Sequence, residues 1–301
     1  MDSVIASVFL PAALAVVMLG LGLSLTVDDF ARTARQPRAV AVALTLQLLV
    51  LPALCFGLVV AFDLPPVLAV GMMLLAASPG GTVANLFSHL FHGDVALNIT
   101  LTAINSVIAV VTVPLVTNFA LAYFAPDLGA GQITLQFSKM LQVFVIVLVP
   151  VGIGMILRRS RPAFADRMDR PVRIASALVL ALAVLGTTYN ERAHVLGYLT
   201  SVGVVALIFC LASLTVGFVV PRAMGVEHRQ AVAAAFEIGA HNAALAITIA
   251  VGVLNSVPLA VPAAVYGLAM FPCTAAVGWL ITRGSSRPSA VKSAPAADTS
   301  R

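Results

Sequence analysis

Long apolar runs follow one another along this chain from about residue 4 to residue 282, and each is long enough to cross a hydrocarbon layer. Bounded by charge or by Pro and Gly clusters, they read as spans near 4–26, 39–62, 65–90, 94–124, 134–157, 172–189, 195–220, 229–253 and 258–282. About 20 mainly apolar residues in helical form cover a bilayer core roughly 30 Å thick, so these runs predict membrane helices. Only 10% of the 301 residues are charged and 60% are hydrophobic, against roughly 25% charged in a soluble domain. The length therefore counts about nine transmembrane helices, and the fold class is an all-α polytopic membrane protein.

The charges that remain report topology. Arg32, Arg35 and Arg38 follow the first span, six arginines from Arg158 to Arg173 surround the linker after the fifth, Arg222 and Arg229 lie between the seventh and eighth, and Arg283, Arg287, Lys292 and Arg301 follow the ninth. With nine spans all of these fall on one side, and only Lys139 and Arg192 fall on the other. Short cytoplasmic loops retain Lys and Arg, which places the N-terminus outside and the C-terminus in the cytoplasm. A net charge of +5 spread over such loops is no nucleic-acid face. Met1-Asp2-Ser3 carries no basic n-region, so the first run is expected to stay as a helix. The small polar tail at 284–301 is expected to be disordered. Cys55, Cys210 and Cys273 sit inside apolar runs, odd in number and without CxxC spacing, and are assigned to packing.

Two spans are interrupted. The third contains Ser78-Pro79-Gly80-Gly81-Thr82, where proline lacks a donor and the glycines favour non-helical torsions, so Pro79 and Gly80 are expected to break the helix. The eighth contains Glu237-Ile238-Gly239-Ala240-His241-Asn242, the most polar stretch inside any span, with Gly239 as the expected point of interruption. The third and eighth spans are five helices apart and cross in opposite directions. This organisation predicts an inverted repeat, a truncated four-helix first half at 1–124 and a five-helix second half at 134–283. Interrupted spans at matching places in two halves point to a transporter binding site, because unwound backbone exposes carbonyls suited to cations and amides suited to anions.

A carboxyl near the middle of a span costs about 2.5–3.5 kcal/mol on insertion scales, so Glu237 demands a neutralising partner: a cation, a proton or a basic side chain. No Lys or Arg is expected at that depth, and His241 lies one turn away. The alternatives are a protonated structural carboxyl at Glu237 and a simple packing kink at Pro79. Gln47 and Asn105 are intramembrane amides that either bridge helices or take part in a site. His89 and His92 have i,i+3 spacing but sit beside Gly93-Asp94, where a solvated loop is the simpler reading. Asn98-Ile99-Thr100 matches a glycosylation pattern inside a span and is discounted.

The segments QLLVLP (Gln47 to Pro52), SPGGTVAN (Ser78 to Asn85), GDVAL (Gly93 to Leu97) and EIGAHN (Glu237 to Asn242) resemble signatures of the bile acid:sodium symporter family. The resemblance runs over nearly the whole chain and includes MLGLGLSLTVDDF in the first span, as in bacterial-type nine-helix relatives. It implies a core domain with two crossing discontinuous helices and two sodium ions, and a panel domain that moves against it. By motif, Asn85, Thr102 and Glu237 correspond to one sodium site and Gln47 with Glu237 to the other, with Asn98 and His241 at further cation-site positions. The substrate region corresponds to Gly81, Thr82 and Asn242. Ala84 stands where the family usually has a polar residue, Asn98 where it commonly has Ser, and His241 where it usually has Gln. A ring nitrogen is a poor ligand for a hard cation, which bears on the second site.

The function this implies is sodium-coupled uptake of a small organic anion, bile-acid-like or a smaller carboxylate such as a keto acid, by a bacterial inner-membrane protein. No obligate protein partner is implied. Proton coupling through His241 is a second expectation, because histidine titrates near physiological pH. An intramembrane enzyme using Glu237 and His241 is disfavoured by the lack of an HExxH motif or a nucleophile dyad, and a ligand sensor by the lack of an appended signalling domain.

Overall fold

The structure is a computed structural model that describes residues 36–125, 137–168 and 195–283, except Asn255, together with a few positions before residue 27 and between 171 and 178. The spans expected at 4–26 and 172–189, and the tail at 284–301, lie almost wholly outside the described residues. The rest is helical: α1 (Pro37–Ala61), α2 (Pro66–Ala77), α3 (Thr82–Leu90), α4 (Val95–Phe124), α5 (Phe137–Ser160), α6 (Val195–Ala223), α7 (His228–Gly239), α8 (Ala243–Val253) and α9 (Val261–Arg283). Among the described residues, α1, α4, α6 and the stretch Pro258–Arg283 contain helices long and apolar enough to cross a bilayer.

Local chemistry sets the ends. Pro37 and Pro66 open α1 and α2 at positions where the missing N–H leaves no bond unmade. Asp94 caps α4, its Oδ1 accepting from the Leu97 amide at 3.0 Å. Asp94→Ala is expected to lower stability by about 1 kcal/mol, read as an earlier thermal unfolding midpoint in detergent. Inside α1 the turn Leu46–Val50 widens, with the Leu51 amide donating to Leu46 O. Pro52 lies just beyond, and its ring would meet the Leu48 carbonyl in a regular helix, which accounts for the wide turn.

The outside of the bundle is apolar. On α4, Val107, Val111, Leu115 and Phe119 form an exposed stripe at every fourth residue, each at least half exposed. Water does not tolerate such a band and lipid does. The inside is also largely apolar, and α2 is buried on all sides from Leu68 to Ala77. Helices approach closely where side chains are small: Gly71 of α2 meets Leu259 and Pro262, and Gly217 of α6 meets the Ala234–Ala235 backbone of α7. Some hydroxyls that face the interior return to their own helix, as Ser106 does to Thr102 O (2.7 Å) and Ser213 to Phe209 O (2.7 Å).

The two interrupted spans form the centre. α2 stops at Ala77 and α3 starts at Thr82; α7 stops at Gly239 and α8 starts at Ala243. α7 packs on α3, α4 and α6, while α2 packs on α1 and α4. The segments at 78–81 and 240–242 therefore meet in the middle of the bundle.

Candidate functional site

Ser78 and Gly81 have extended backbone, which at Ser78 the following Pro79 favours. Their segment lies antiparallel to the one at 240–242, with Gly80 opposite His241. The Gly81 amide donates to Ala240 O (3.1 Å) and the Asn242 amide to Pro79 O (2.8 Å). Helix ends leave amides and carbonyls without partners, and this short two-strand crossing satisfies two pairs of them where water is scarce. Asn242 does more, since its Oδ1 accepts from the Leu245 amide (3.0 Å) and caps α8.

Glu237, in the last turn of α7, is fully buried against this crossing. Thr102 donates to its Oε2 at 2.5 Å, Asn105 Nδ2 to its Oε1 at 3.1 Å, and the Gly80 backbone also bonds to it. Among the described residues no Lys or Arg reaches it. A Cβ at Gly80 would fall on the Glu237 carboxyl, so glycine is required there for the backbone and the carboxyl to share the space.

On the helices packed against α7 several buried amide oxygens accept nothing: Asn85 Oδ1 on α3, Asn98 Oδ1 and Asn105 Oδ1 on α4, and Gln47 Oε1 on α1. Their amide nitrogens explain the orientation in three cases. Asn98 Nδ2 donates to Ala233 O (2.8 Å), Asn105 Nδ2 to Glu237, and Gln47 Nε2 to Ser78 O (3.1 Å). The oxygens are thereby turned away from those contacts. One carboxylate, several amide oxygens and a hydroxyl form the donor set of a hard cation and not of a soft one.

His241 sits opposite Gly80 in the crossing. Its Nδ1 bonds Ser78 O at 3.1 Å, and its ring stacks on Phe209 of α6 at 5.4 Å and 9°. Tyr266 of α9 lies against the same ring at 5.5 Å and donates to Gly239 O at 2.7 Å. Tyr266→Phe leaves that carbonyl without its donor and is expected to cost about 1–3 kcal/mol, visible as a lowered unfolding midpoint in detergent.

The structure thus brings Gln47, Thr102, Glu237, His241, Gly80 and Gly81 to one place, with Pro79 and Gly239 at the ends of the interruptions and Asn98 one turn before Thr102. Asn85 adds its buried oxygen from the second turn of α3. Thr82 is the first residue of α3, and its side chain lies outside the described residues. Asn105 has a closer part than helix bridging, since it bonds Glu237 directly; Asn98, Thr102 and Asn105 share one face of an apolar helix at i, i+4, i+7, which was the available signal. Phe209 and Tyr266 carried no such signal. His89 and His92 are exposed, and among the described residues no three His, Cys, Asp or Glu side chains gather as a metal group. Cys55, Cys210 and Cys273 are buried free thiols.

Residues 11–222, well over half of the chain, match the model of the sodium bile acid symporter family. The ileal sodium/bile acid cotransporter of Homo sapiens is 29% identical over 248 residues, covering 82% of this chain and 70% of that protein. An uncharacterized sodium-dependent transporter of Bacillus subtilis is 26% identical over 262 residues, covering 87% and 79%. The Arabidopsis thaliana protein named "Probable sodium/metabolite cotransporter BASS1, chloroplastic" is 29% identical over 260 residues, covering 84% of this chain and 61% of its own length. These relatives are named as transporters and not as enzymes. With the apolar exterior and the interrupted helices, the match places this chain in the sodium bile acid symporter family.

Proposed function

We propose that the chain takes up a small organic anion together with sodium by alternating access, and that the cation is held at Glu237. One observation carries this: a carboxyl buried in a membrane bundle, on a helix packed against others that hold buried amide oxygens without partners, and reached by no basic side chain among the described residues. Glu237, Asn85, Asn98, Thr102 and Asn105 supply hard oxygen donors for sodium, and the cation offsets the charge that lipid and protein cannot solvate.

The anion belongs near the start of α3, by Gly81, Thr82 and Asn242, where the first amides of α3 face a carboxylate while those of Gly81 and Asn242 are engaged in the crossing. Sodium and substrate then raise one another's affinity by the same factor, typically about 1–3 kcal/mol of coupling. The whole chain is read as about nine spans in an inverted repeat, with a core built on the crossing and a panel moving against it. It lies in a bacterial inner membrane, N-terminus outside and C-terminus inside. Similarity to bile acid and metabolite carriers supports both a bile acid and a smaller carboxylate as cargo.

Sodium alone is the first test. Raising sodium chloride to about 100 times its Kd is expected to stabilise the purified protein by about 2.7 kcal/mol, with choline chloride giving no shift at equal ionic strength. Uptake of radiolabelled taurocholate and of keto acids into proteoliposomes then tests coupling. Uptake of the accepted anion that is unchanged without a sodium gradient refutes the proposal.

A further inference from the structure

The crossing offers a cation two flanks, and they are not alike. On the flank built by α3 and α4, three buried amide oxygens have no partner, alongside the Thr102 hydroxyl and the Glu237 carboxyl. On the flank built by α1, Gln47 Oε1 is the one side-chain oxygen in that condition among the described residues.

The main-chain oxygen on that flank is already engaged. Ser78 O receives Gln47 Nε2 and His241 Nδ1, each at 3.1 Å, which uses both of its lone pairs. A carbonyl only accepts, so Nδ1 carries the hydrogen and Nε2 presents a lone pair. That nitrogen is buried and has no partner. The ring cannot swing aside easily, because Phe209 stacks on one side and Tyr266, tied to Gly239 O, closes another. With the Glu237 carboxyl turned to Thr102 and Asn105 of α4, one amide oxygen and one imidazole nitrogen do not make a shell for a hard cation, which takes several oxygens.

We propose that the chain binds a single sodium ion, on the α3 and α4 flank of Glu237, and that His241 closes the α1 flank to a second. The inference rests on the sodium-coupled reading above and sets its stoichiometry. A carrier that moves one sodium with one monovalent anion moves no net charge. Its cargo gradient is limited to the sodium gradient itself and gains nothing from the membrane potential.

Equilibrium binding of radioactive sodium to the purified full chain in detergent, with choline holding ionic strength constant, counts the sites directly. The wild type is expected to saturate at one ion per chain. His241→Gln restores an amide oxygen at that position and frees one lone pair of Ser78 O, and is expected to saturate at two. Wild-type saturation at two overturns the inference and leaves sodium coupling standing. No saturable binding overturns the sodium-coupled reading itself. A monodisperse His241→Gln protein that still saturates at one overturns the assignment to His241; should that variant not fold, the wild-type count decides.

Discussion

Glu237→Gln is expected to abolish sodium-driven uptake while leaving the bundle folded. Removing one partner of a buried charge pair costs about 3–5 kcal/mol, which is on the order of a hundred- to a thousandfold or more in sodium affinity. The glutamine keeps the shape of the side chain and an oxygen to accept from Asn105 or Gly80. It also removes a charge that the bundle must otherwise balance, so the apo protein is expected to unfold at the same temperature or higher. Glu237→Ala behaves differently. It leaves Asn105 and Gly80 without their acceptor, at about 1–3 kcal/mol for each buried group left unmade, while the Thr102 hydroxyl keeps Asn98 O at 3.0 Å. Thermal unfolding with and without sodium separates the two: the glutamine variant loses the sodium shift alone, and the alanine variant also loses stability.

Gly80→Ala is expected to be as damaging to function as loss of the carboxyl. The added methyl would occupy the place of the Glu237 carboxyl, and neither partner is free to retreat. The backbone on one side is paired across the crossing, and the carboxyl on the other is held by Thr102 and Asn105. Overpacking of a well-filled interior costs about 1–3 kcal/mol, and here the displaced group is the proposed cation ligand. Gly81→Ala is the control one residue away. Its Cβ would find Asn242 Cα at 3.7 Å, an ordinary contact. Sodium-dependent stabilisation is expected to disappear in the first variant and persist in the second; the reverse result would refute the placement of Glu237 against Gly80.

Both interruptions were legible in the chain, because Pro79, Gly80 and Gly81 are backbone statements and need no knowledge of neighbours. Glu237 was legible for a related reason: its cost in a membrane depends on depth, which hydropathy reveals. The aromatic casing of His241 was not, because Phe209 and Tyr266 come from α6 and α9, and periodicity within one helix says nothing about which helices meet. The part played by Gln47 was half visible. Its amide marked it as unusual, but its bond to Ser78 O joins α1 to the break between α2 and α3, a contact between separate spans. The exchange of an amide for a ring at 241 could be read from motif resemblance, whereas its consequence needed the Ser78 carbonyl and its two donors on one map.

The two main-chain bonds across the crossing carry a mechanical consequence. Sliding one interrupted span past the other would rupture both at once and leave their peptide groups without these partners. A rivet of this kind transmits load instead of yielding to it. On the alternating-access proposal the hinges of the stroke therefore belong elsewhere, at joints where side chains alone are in contact, and the pair of interrupted spans rides through it as one stiff strut.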